Sequence, residues 1–121
     1  MIAAFLLLAA ASNDPIAGTW EGSSLCQVKP SPCHDEHVIY RATPTAVRSY
    51  KFAAYKLIDG KEQFMGTMDL KFDPAVGQLH GTIAGSRVSG HILFAVESNH
   101  LSGRMTLGDG TLFRLIEVTK H

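Results

Sequence analysis

The sequence predicts an all-β protein: a small eight-stranded antiparallel barrel whose strands follow one another as an up-and-down meander. Three observations lead to this fold class. Short segments of alternating apolar and polar residues recur along the chain, glycine-containing turn signals separate them, and no long segment has the periodicity of a helix.

Length and composition are those of one globular domain. The chain has 121 residues, of which 45% are hydrophobic, so it can bury a core and is not expected to be disordered. Lys and Arg number 11, and Asp and Glu also number 11. A neutral chain lacks the electrostatic footprint of a nucleic-acid-binding protein or of a protein attracted to anionic membranes.

The N-terminus carries an apolar run, residues 1–11, that predicts a signal peptide. The run is shorter than the roughly 20 residues of a membrane span, and it ends in small residues suited to a signal peptidase. No Lys or Arg precedes it, so a buried N-terminal helix is the alternative. With the leader removed, residues 12–121 form a single barrel domain, and we expect a periplasmic or secreted protein without a membrane span.

The two cysteines, Cys26 and Cys33, lie seven residues apart on either side of two prolines. An even, close pair in an exported protein predicts a disulfide. Closing such a loop stabilises the fold by roughly 2–3 kcal/mol on a chain-entropy argument. A zinc site would need further ligands, for which His34 and His37 are the available side chains.

Eight segments are predicted as strands: residues 17–24, 36–43, 46–58, 62–73, 77–84, 87–96, 99–107 and 111–119. The fourth has the clearest alternation, because its apolar residues share one face. That face contains Glu62, Phe64, Gly66, Met68, Leu70 and Phe72.

Two turns give registers that can be tested against these faces. A hairpin at Asp109-Gly110 pairs Leu107 with Leu112 and Met105 with Arg114. This pairing directs Arg114 to the inner face.

A turn at Glu97-Ser98 pairs Val96 with Asn99 and Phe94 with Leu101, which matches the apolar faces of the sixth and seventh strands. Agreement between turns and alternations favours a meander. Eight strands with no covering helix close into a barrel, which removes exposed edges and leaves an interior that side chains or one small ligand can fill.

The third segment is open to two interpretations because Asp59-Gly60 can form turns of different length. A two-residue turn directs Val47, Ser49, Lys51, Ala53, Tyr55 and Leu57 inward. A three-residue turn directs Tyr50, Phe52, Ala54 and Ile58 inward instead. We prefer the second set because it brings Phe52 beside Met68.

The first strand begins with Gly18-Thr19-Trp20, and Arg114 lies in the last strand. In these residues the chain resembles the calycin superfamily, and in particular small lipocalin-like secreted bacterial proteins of unassigned activity. This resemblance implies that the indole of Trp20 packs across one end of the barrel with Arg114 over it. The mature chain is shorter than the roughly 150–180 residues usual for lipocalins, and Trp20 is the only tryptophan, which argues against a biotin pocket.

The most polar cluster is His34-Asp35-Glu36-His37. In an extended chain its two histidines point to opposite faces, so we interpret the cluster as a solvated loop, with a metal site as the alternative. The other strand histidines, His80, His91 and His100, are expected at the surface. No nucleophile elbow, HExxH motif or phosphate-binding loop is present in the sequence, and we expect neither catalysis nor a cofactor.

The inward apolar side chains are candidates for a ligand pocket: Phe52, Phe64, Met68, Leu70, Phe72, Ile92, Phe94, Met105 and Ile116. Three inward glycines, Gly66, Gly90 and Gly103, are expected to leave space among them. Two functions follow as hypotheses. One is an exported binding protein for a small apolar or amphipathic ligand held in the barrel. The other is an envelope interaction or inhibitor module with a filled barrel, acting through the disulfide loop at residues 26–33.

Overall fold

A computed structural model describes residues 14–28, 32–84 and 89–121. It contains eight strands: β1 (Gly18–Cys26), β2 (Glu36–Ala46), β3 (Ser49–Ile58), β4 (Lys61–Asp73), β5 (Gln78–Ala84), β6 (Ser89–Glu97), β7 (His100–Leu107) and β8 (Leu112–Lys120). The largest differences from the predicted bounds, three residues each, are on the two sides of the β2–β3 turn. The predicted signal peptide, residues 1–11, lies outside the described residues.

The strands form a closed antiparallel barrel in which each strand pairs with the next and β1 pairs with β8. This confirms the predicted fold class. The described residues contain no helix that is long and apolar enough to cross a membrane.

The β3–β4 hairpin combines features of both predicted alternatives. Its turn is the two-residue Asp59-Gly60, with both residues at positive φ and Ile58 paired with Lys61. A β-bulge then shifts the register, because Ala54 pairs with Gly66 and Tyr55 pairs with Phe64. The three-residue turn was therefore wrong.

Because of the bulge, the residues that we preferred for the inner face of β3 still face inward: Tyr50, Phe52 and Ala54 are buried. Ile58 lies beyond the bulge and is 46% exposed, so its predicted inward orientation is wrong.

The β6–β7 turn lies one residue further along the chain than predicted. Its central residues are Ser98, which has a φ of 50°, and Asn99, so that Val96 pairs with Leu101 and Phe94 with Gly103. Because the register differs from the predicted one by two residues, every residue keeps its predicted face.

The β7–β8 hairpin keeps the predicted Met105–Arg114 pair but contains a bulge nearer its turn. Leu112 consequently pairs with Thr106, and the predicted Leu107–Leu112 pair is wrong. The Leu107 amide instead donates a 2.8 Å hydrogen bond to the Thr111 carbonyl. Arg114 faces the interior as expected, since the bulge lies outside the Met105–Arg114 pair.

The core fills the barrel from the start of β1 to past its middle. Tyr40, Phe52 and Phe94 meet at its centre, where the Phe52 and Phe94 rings stack with centroids 6.3 Å apart. Side chains with at most 1% exposure surround them: Ile16, Trp20, Val38, Leu70, Leu79, Ile92, Leu101, Ile116 and Val118. Burying these side chains supplies most of the driving force for folding.

The segment before β1 plugs one end of the barrel, which we call the plugged end (Asp14, Ile16, Trp20, Tyr50 and Lys120). The buried indole of Trp20 donates a 2.9 Å hydrogen bond to the Ile16 carbonyl. The Asp14 carboxylate accepts hydrogen bonds from two backbone amides of this segment and from the Tyr50 hydroxyl. These contacts fasten the plug to β1 and β3.

Candidate functional site

The opposite end of the barrel, the mouth end, is where β1 and β3 finish and where β2, β4 and β8 begin. Its inner layer contains Ser24, Glu36, Lys56 and Arg114, which all follow the inward alternation of their strands. The barrel therefore changes along its axis from an apolar interior to a charged one.

Arg114 is the central residue of this layer and is only 8% exposed. Its Nη1 donates to the carbonyl and to the hydroxyl of Ser24, both at 3.1 Å. Its Nη2 donates a 3.0 Å hydrogen bond to the His34 carbonyl. The guanidinium thus links β8 to β1 and to the loop that precedes β2, and a buried cation with these partners is satisfied.

Glu36 is the anion of the mouth layer and lies between two cations. Its carboxylate is 3.6 Å from Arg114 Nη1 and 3.8 Å from Lys56 Nζ. Burial raises the pKa of the nearby Tyr40 hydroxyl, and the charge of Glu36 raises it further. These groups form a mixed-charge surface at the barrel entrance.

The disulfide between Cys26 and Cys33 is formed, with their Cα atoms 5.8 Å apart, which confirms the predicted pairing. Asp35 lies just after it, and its Oδ1 accepts a 2.8 Å hydrogen bond from the Cys26 amide. The Gln27 amide donates to the Phe113 carbonyl at 2.9 Å. Both described flanks of the loop are therefore attached to the barrel rim.

A cleft of about 220 Å³ opens beside this loop, between the start of β2 and the end of β3. Its lining residues are His34, Asp35, Glu36, His37, Lys56, Leu57 and Ile58. The cleft joins the charged mouth layer to the exposed tip of the β3–β4 hairpin, and we call these residues the mouth cleft.

The two histidines of the predicted polar cluster both line the mouth cleft. The imidazole of His37, however, contacts the Glu21 carboxylate, which His121 Nε2 also contacts at 2.7 Å. Hydrogen bonds to these two histidines lower the pKa of Glu21. Within residues 14–28, 32–84 and 89–121, no three His, Cys, Asp or Glu side chains are grouped so as to hold a metal ion.

Most of the predicted pocket residues face the interior. Six of them are buried: Phe52, Met68, Leu70, Ile92, Phe94 and Ile116. Phe72 and Met105 are partly buried and pack against this core.

Phe64 does not face the interior and is 57% exposed, so its predicted orientation is wrong. The bulge before Gly66 reverses the face of the preceding residues, and the Phe64 ring packs against Tyr55 on the outer surface, with centroids 5.5 Å apart.

The inward glycines leave less space than predicted. A methyl group on Gly103 would lie about 2.5 Å from Phe94 Cδ1, so the phenyl ring already occupies that space. A methyl group on Gly90 would lie 2.9 Å from the Cα atom of Leu107. Of the three glycines predicted to face inward, only Gly66 has no atom within 4 Å of the added carbon.

The cation that accompanies Trp20 is Lys120, whose Nζ lies 5.6 Å from the indole centroid. Arg114 is at the other end of β8, where it pairs with Cys26, so its predicted position over Trp20 is wrong. Lys120 has the same inward alternation as Arg114 and pairs directly with Trp20. The predicted eighth strand stopped one residue before Lys120, and extending it would have revealed this cation.

His100 is one of the strand histidines expected at the surface. Its Nε2 lies 2.5 Å from Oε1 of Glu117, and the Ser102 hydroxyl donates to Oε2 at 2.6 Å. The hydrogen bond from Ser102, with a contribution from His100, lowers the pKa of Glu117. These side chains lie on the two strands of the β7–β8 hairpin, in which Ser102 pairs directly with Glu117.

No protein-family model matches the sequence, and no curated protein is significantly similar to it. The function is therefore argued from the site alone.

Proposed function

We propose that the protein is an exported interaction module of calycin type, in which a filled barrel presents the mouth end to a partner protein. One observation carries the proposal: side chains with no accessible surface span the barrel interior, among them Trp20, Phe52 and Phe94. A side chain without accessible surface has no water-sized space beside it. A barrel packed in this way favours recognition at its rim over carriage of a ligand in its depth.

The rigidity of the mouth end supports the same proposal. The disulfide, Arg114 and Asp35 attach the flanks of the loop to β1 and β8. Pre-organised flanks lose little conformational entropy on binding, which favours affinity. The disulfide also fits an oxidising compartment, such as the periplasm or the extracellular medium.

A second candidate function is carriage of a small amphipathic ligand at the mouth. The partly buried Met105 and the open space beside Gly66 favour it. A ligand there would place its polar end near the mouth cations and its apolar end over the core. Neither candidate involves catalysis or a cofactor.

Site-specific photocrosslinking in the native host tests the first candidate. A benzoylphenylalanine in place of Leu57 in the mouth cleft should give a discrete protein adduct. The same probe in place of Val76, which is exposed at the plugged end, should give none. The paired change Cys26→Ser with Cys33→Ser should abolish the adduct while circular dichroism still shows a β-barrel. Equal adducts from both positions would contradict the proposal.

Native mass spectrometry separates the two candidates. The protein exported through an oxidising compartment should have the mass of the bare chain, two hydrogen atoms lighter than the reduced form because of one disulfide. A stoichiometric adduct of small-molecule mass that is lost on denaturation would favour the carrier.

A further inference from the structure

The mouth layer (Ser24, Glu36, Lys56 and Arg114) contains more positive than negative charge. Its two cations, Lys56 and Arg114, share one carboxylate, that of Glu36. All three charged side chains are at least partly shielded from water. Because a shielded charge is costly without a counter-charge, a layer with one cation in excess favours a further anion.

The chain itself does not supply a second side-chain carboxylate to this layer. All 11 Asp and Glu residues lie in the described parts of the chain, and among them only Glu36 forms an ion pair with Lys56 or Arg114. Asp35 also lines the mouth cleft, but it is exposed and accepts a hydrogen bond from the Cys26 amide. Residues 1–13, 29–31 and 85–88, which the structure does not describe, contain no acidic side chain. A further anion therefore has to come from outside the chain.

Lys56 is the cation that such an anion can reach. Its side chain is 30% exposed, against 10% for Arg114, and it lines the mouth cleft. Its Nζ lies 3.8 Å from the Glu36 carboxylate, which is longer than a direct hydrogen bond. Arg114, by contrast, donates hydrogen bonds to oxygens of Ser24 and His34. The ammonium group of Lys56 therefore retains donors for a ligand that enters the cleft.

The hydroxyl of Tyr40 offers a second donor to the same layer. Tyr40 is 3% exposed, and its hydroxyl has no hydrogen-bond partner among the described residues. Burial and then the charge of Glu36 raise the pKa of this hydroxyl, and the charge of Arg114 lowers it, so the hydroxyl is directed towards the mouth. In the described part of the chain, no fully buried side-chain oxygen lacks a partner. The Tyr40 hydroxyl therefore touches accessible space, where it can donate to an anion.

The packing further inside the barrel indicates the source of the anion. The rings of Tyr40, Phe52 and Phe94 meet there with centroids at most 6.3 Å apart, and Phe52 and Phe94 have no exposed surface. An interior packed in this way leaves no room for the apolar tail of a free fatty acid. An acidic side chain of a partner has only a short stem, which fits a cleft outside a filled core.

We propose that the mouth layer binds one carboxylate of an acidic side chain on the partner protein. Lys56 supplies the counter-charge, and the Tyr40 hydroxyl donates a hydrogen bond. Charges then alternate from Arg114 through Glu36 and Lys56 to the partner's carboxylate, so the layer becomes neutral. The inference rests on the proposed function and names the chemistry by which the mouth end selects its partner.

A chemical-shift titration of the isotope-labelled full chain tests the site with N-acetylglutamate α-amide, and the corresponding glutamine compound is the neutral control. The glutamate probe should shift the side-chain signals of Lys56 and Tyr40 saturably, and the glutamine compound should not. Lys56→Met should weaken binding of the glutamate probe about tenfold, the effect of a lost charged hydrogen bond. Lys56→Arg should retain binding. Lys51→Met, which replaces an exposed cation of the same strand, should have no effect.

Tyr40→Phe separates a role of the hydroxyl in binding from a role in the fold. Because the hydroxyl has no partner among the described residues, its removal should not lower the urea midpoint. It should weaken binding of the glutamate probe severalfold, because one hydrogen bond is lost. A lower urea midpoint together with unchanged binding would assign the hydroxyl to the fold and contradict the proposal.

Four further results would overturn the proposal. These are the absence of a saturable shift, equal binding of the glutamate and glutamine probes, equal binding by Lys56→Met and wild type, and octanoate that shifts the same signals at a much lower concentration. The last result would identify a free amphipathic acid as the occupant.

The photocrosslink from the probe in place of Leu57 distinguishes this inference from the proposed function. Its yield should fall in Lys56→Met and persist in Lys56→Arg. An undiminished yield in Lys56→Met would overturn the inference and leave the proposed function standing. The absence of any adduct in the protein that carries only the probe would instead contradict the proposed function itself.

Discussion

The two ends of the barrel are lined by side chains of different chemistry. At the plugged end, Ile16 and Trp20 close the interior with apolar volume, and the Lys120 cation lies against the indole. At the mouth end, Arg114 and Glu36 bring charge into the interior. Apolar burial stabilises without directional demands, whereas a buried guanidinium stabilises only when its partners are complete. The plugged end therefore supplies stability, and the mouth end orders a particular loop.

The largest expected effect is at the plugged end. Trp20→Ala should lower the free energy of unfolding by about 3–5 kcal/mol, because it removes a completely buried indole and leaves a cavity. Urea denaturation followed by circular dichroism measures the loss. Val76→Ala at the same end should change stability by less than about 0.5 kcal/mol. A loss below about 1 kcal/mol for Trp20→Ala would mean that the plug is not part of the cooperative core.

Replacing the buried cation Arg114 tests whether the mouth end orders the loop that precedes β2. Arg114→Met keeps most of the side-chain volume and should cost about 2–3 kcal/mol, since Ser24 and the His34 carbonyl lose charged hydrogen-bond donors. Hydrogen exchange should accelerate in residues 32–36 and remain slow in β6. Uniform acceleration throughout the barrel would show instead that Arg114 stabilises the whole fold and not the loop.

Packing along the axis can be tested with two glycines of the same strand pair. Gly103→Ala should cost about 1–2 kcal/mol because the new methyl group meets the Phe94 ring. Gly108→Ala, in the β7–β8 turn, should be nearly neutral, since nothing lies within 4 Å of its added carbon. Phe94→Leu should recover part of the loss in Gly103→Ala. A neutral Gly103→Ala would indicate an interior with room for a ligand.

The smallest effect is a dependence of stability on pH at the plugged end. Burial raises the pKa of Asp14, but hydrogen bonds from Ala17, Ile16 and Tyr50 outweigh it, and the pKa lies below its usual value. A lowered folded-state pKa adds stability that is complete above the unfolded pKa of about 4 and is lost as the pH falls through the folded value.

Wild type should therefore exceed Asp14→Asn in urea midpoint at pH 7, and the difference should shrink below about pH 4. In Tyr50→Phe the decline should begin at a higher pH, because the carboxylate has lost one donor. A difference that is the same at pH 7 and pH 3 would contradict the assignment to the Asp14 charge.

Local alternation in the sequence determined the number and order of the strands, the inward face of most of them and the position of Arg114 inside the barrel. The close pair of cysteines, the only two in the sequence, determined the disulfide partners. These features depend on neighbours within a strand or across one turn, where side-chain periodicity and loop length act directly.

Tertiary structure alone decided the bulge that turns Phe64 outward, the filling of the space at Gly103 by Phe94 and the pairing of Lys120 with Trp20. Each of these depends on strand twist, barrel closure and side-chain volumes contributed by residues far apart in the chain. These features are set by many contacts between distant residues, and the periodic pattern of one segment does not predict them.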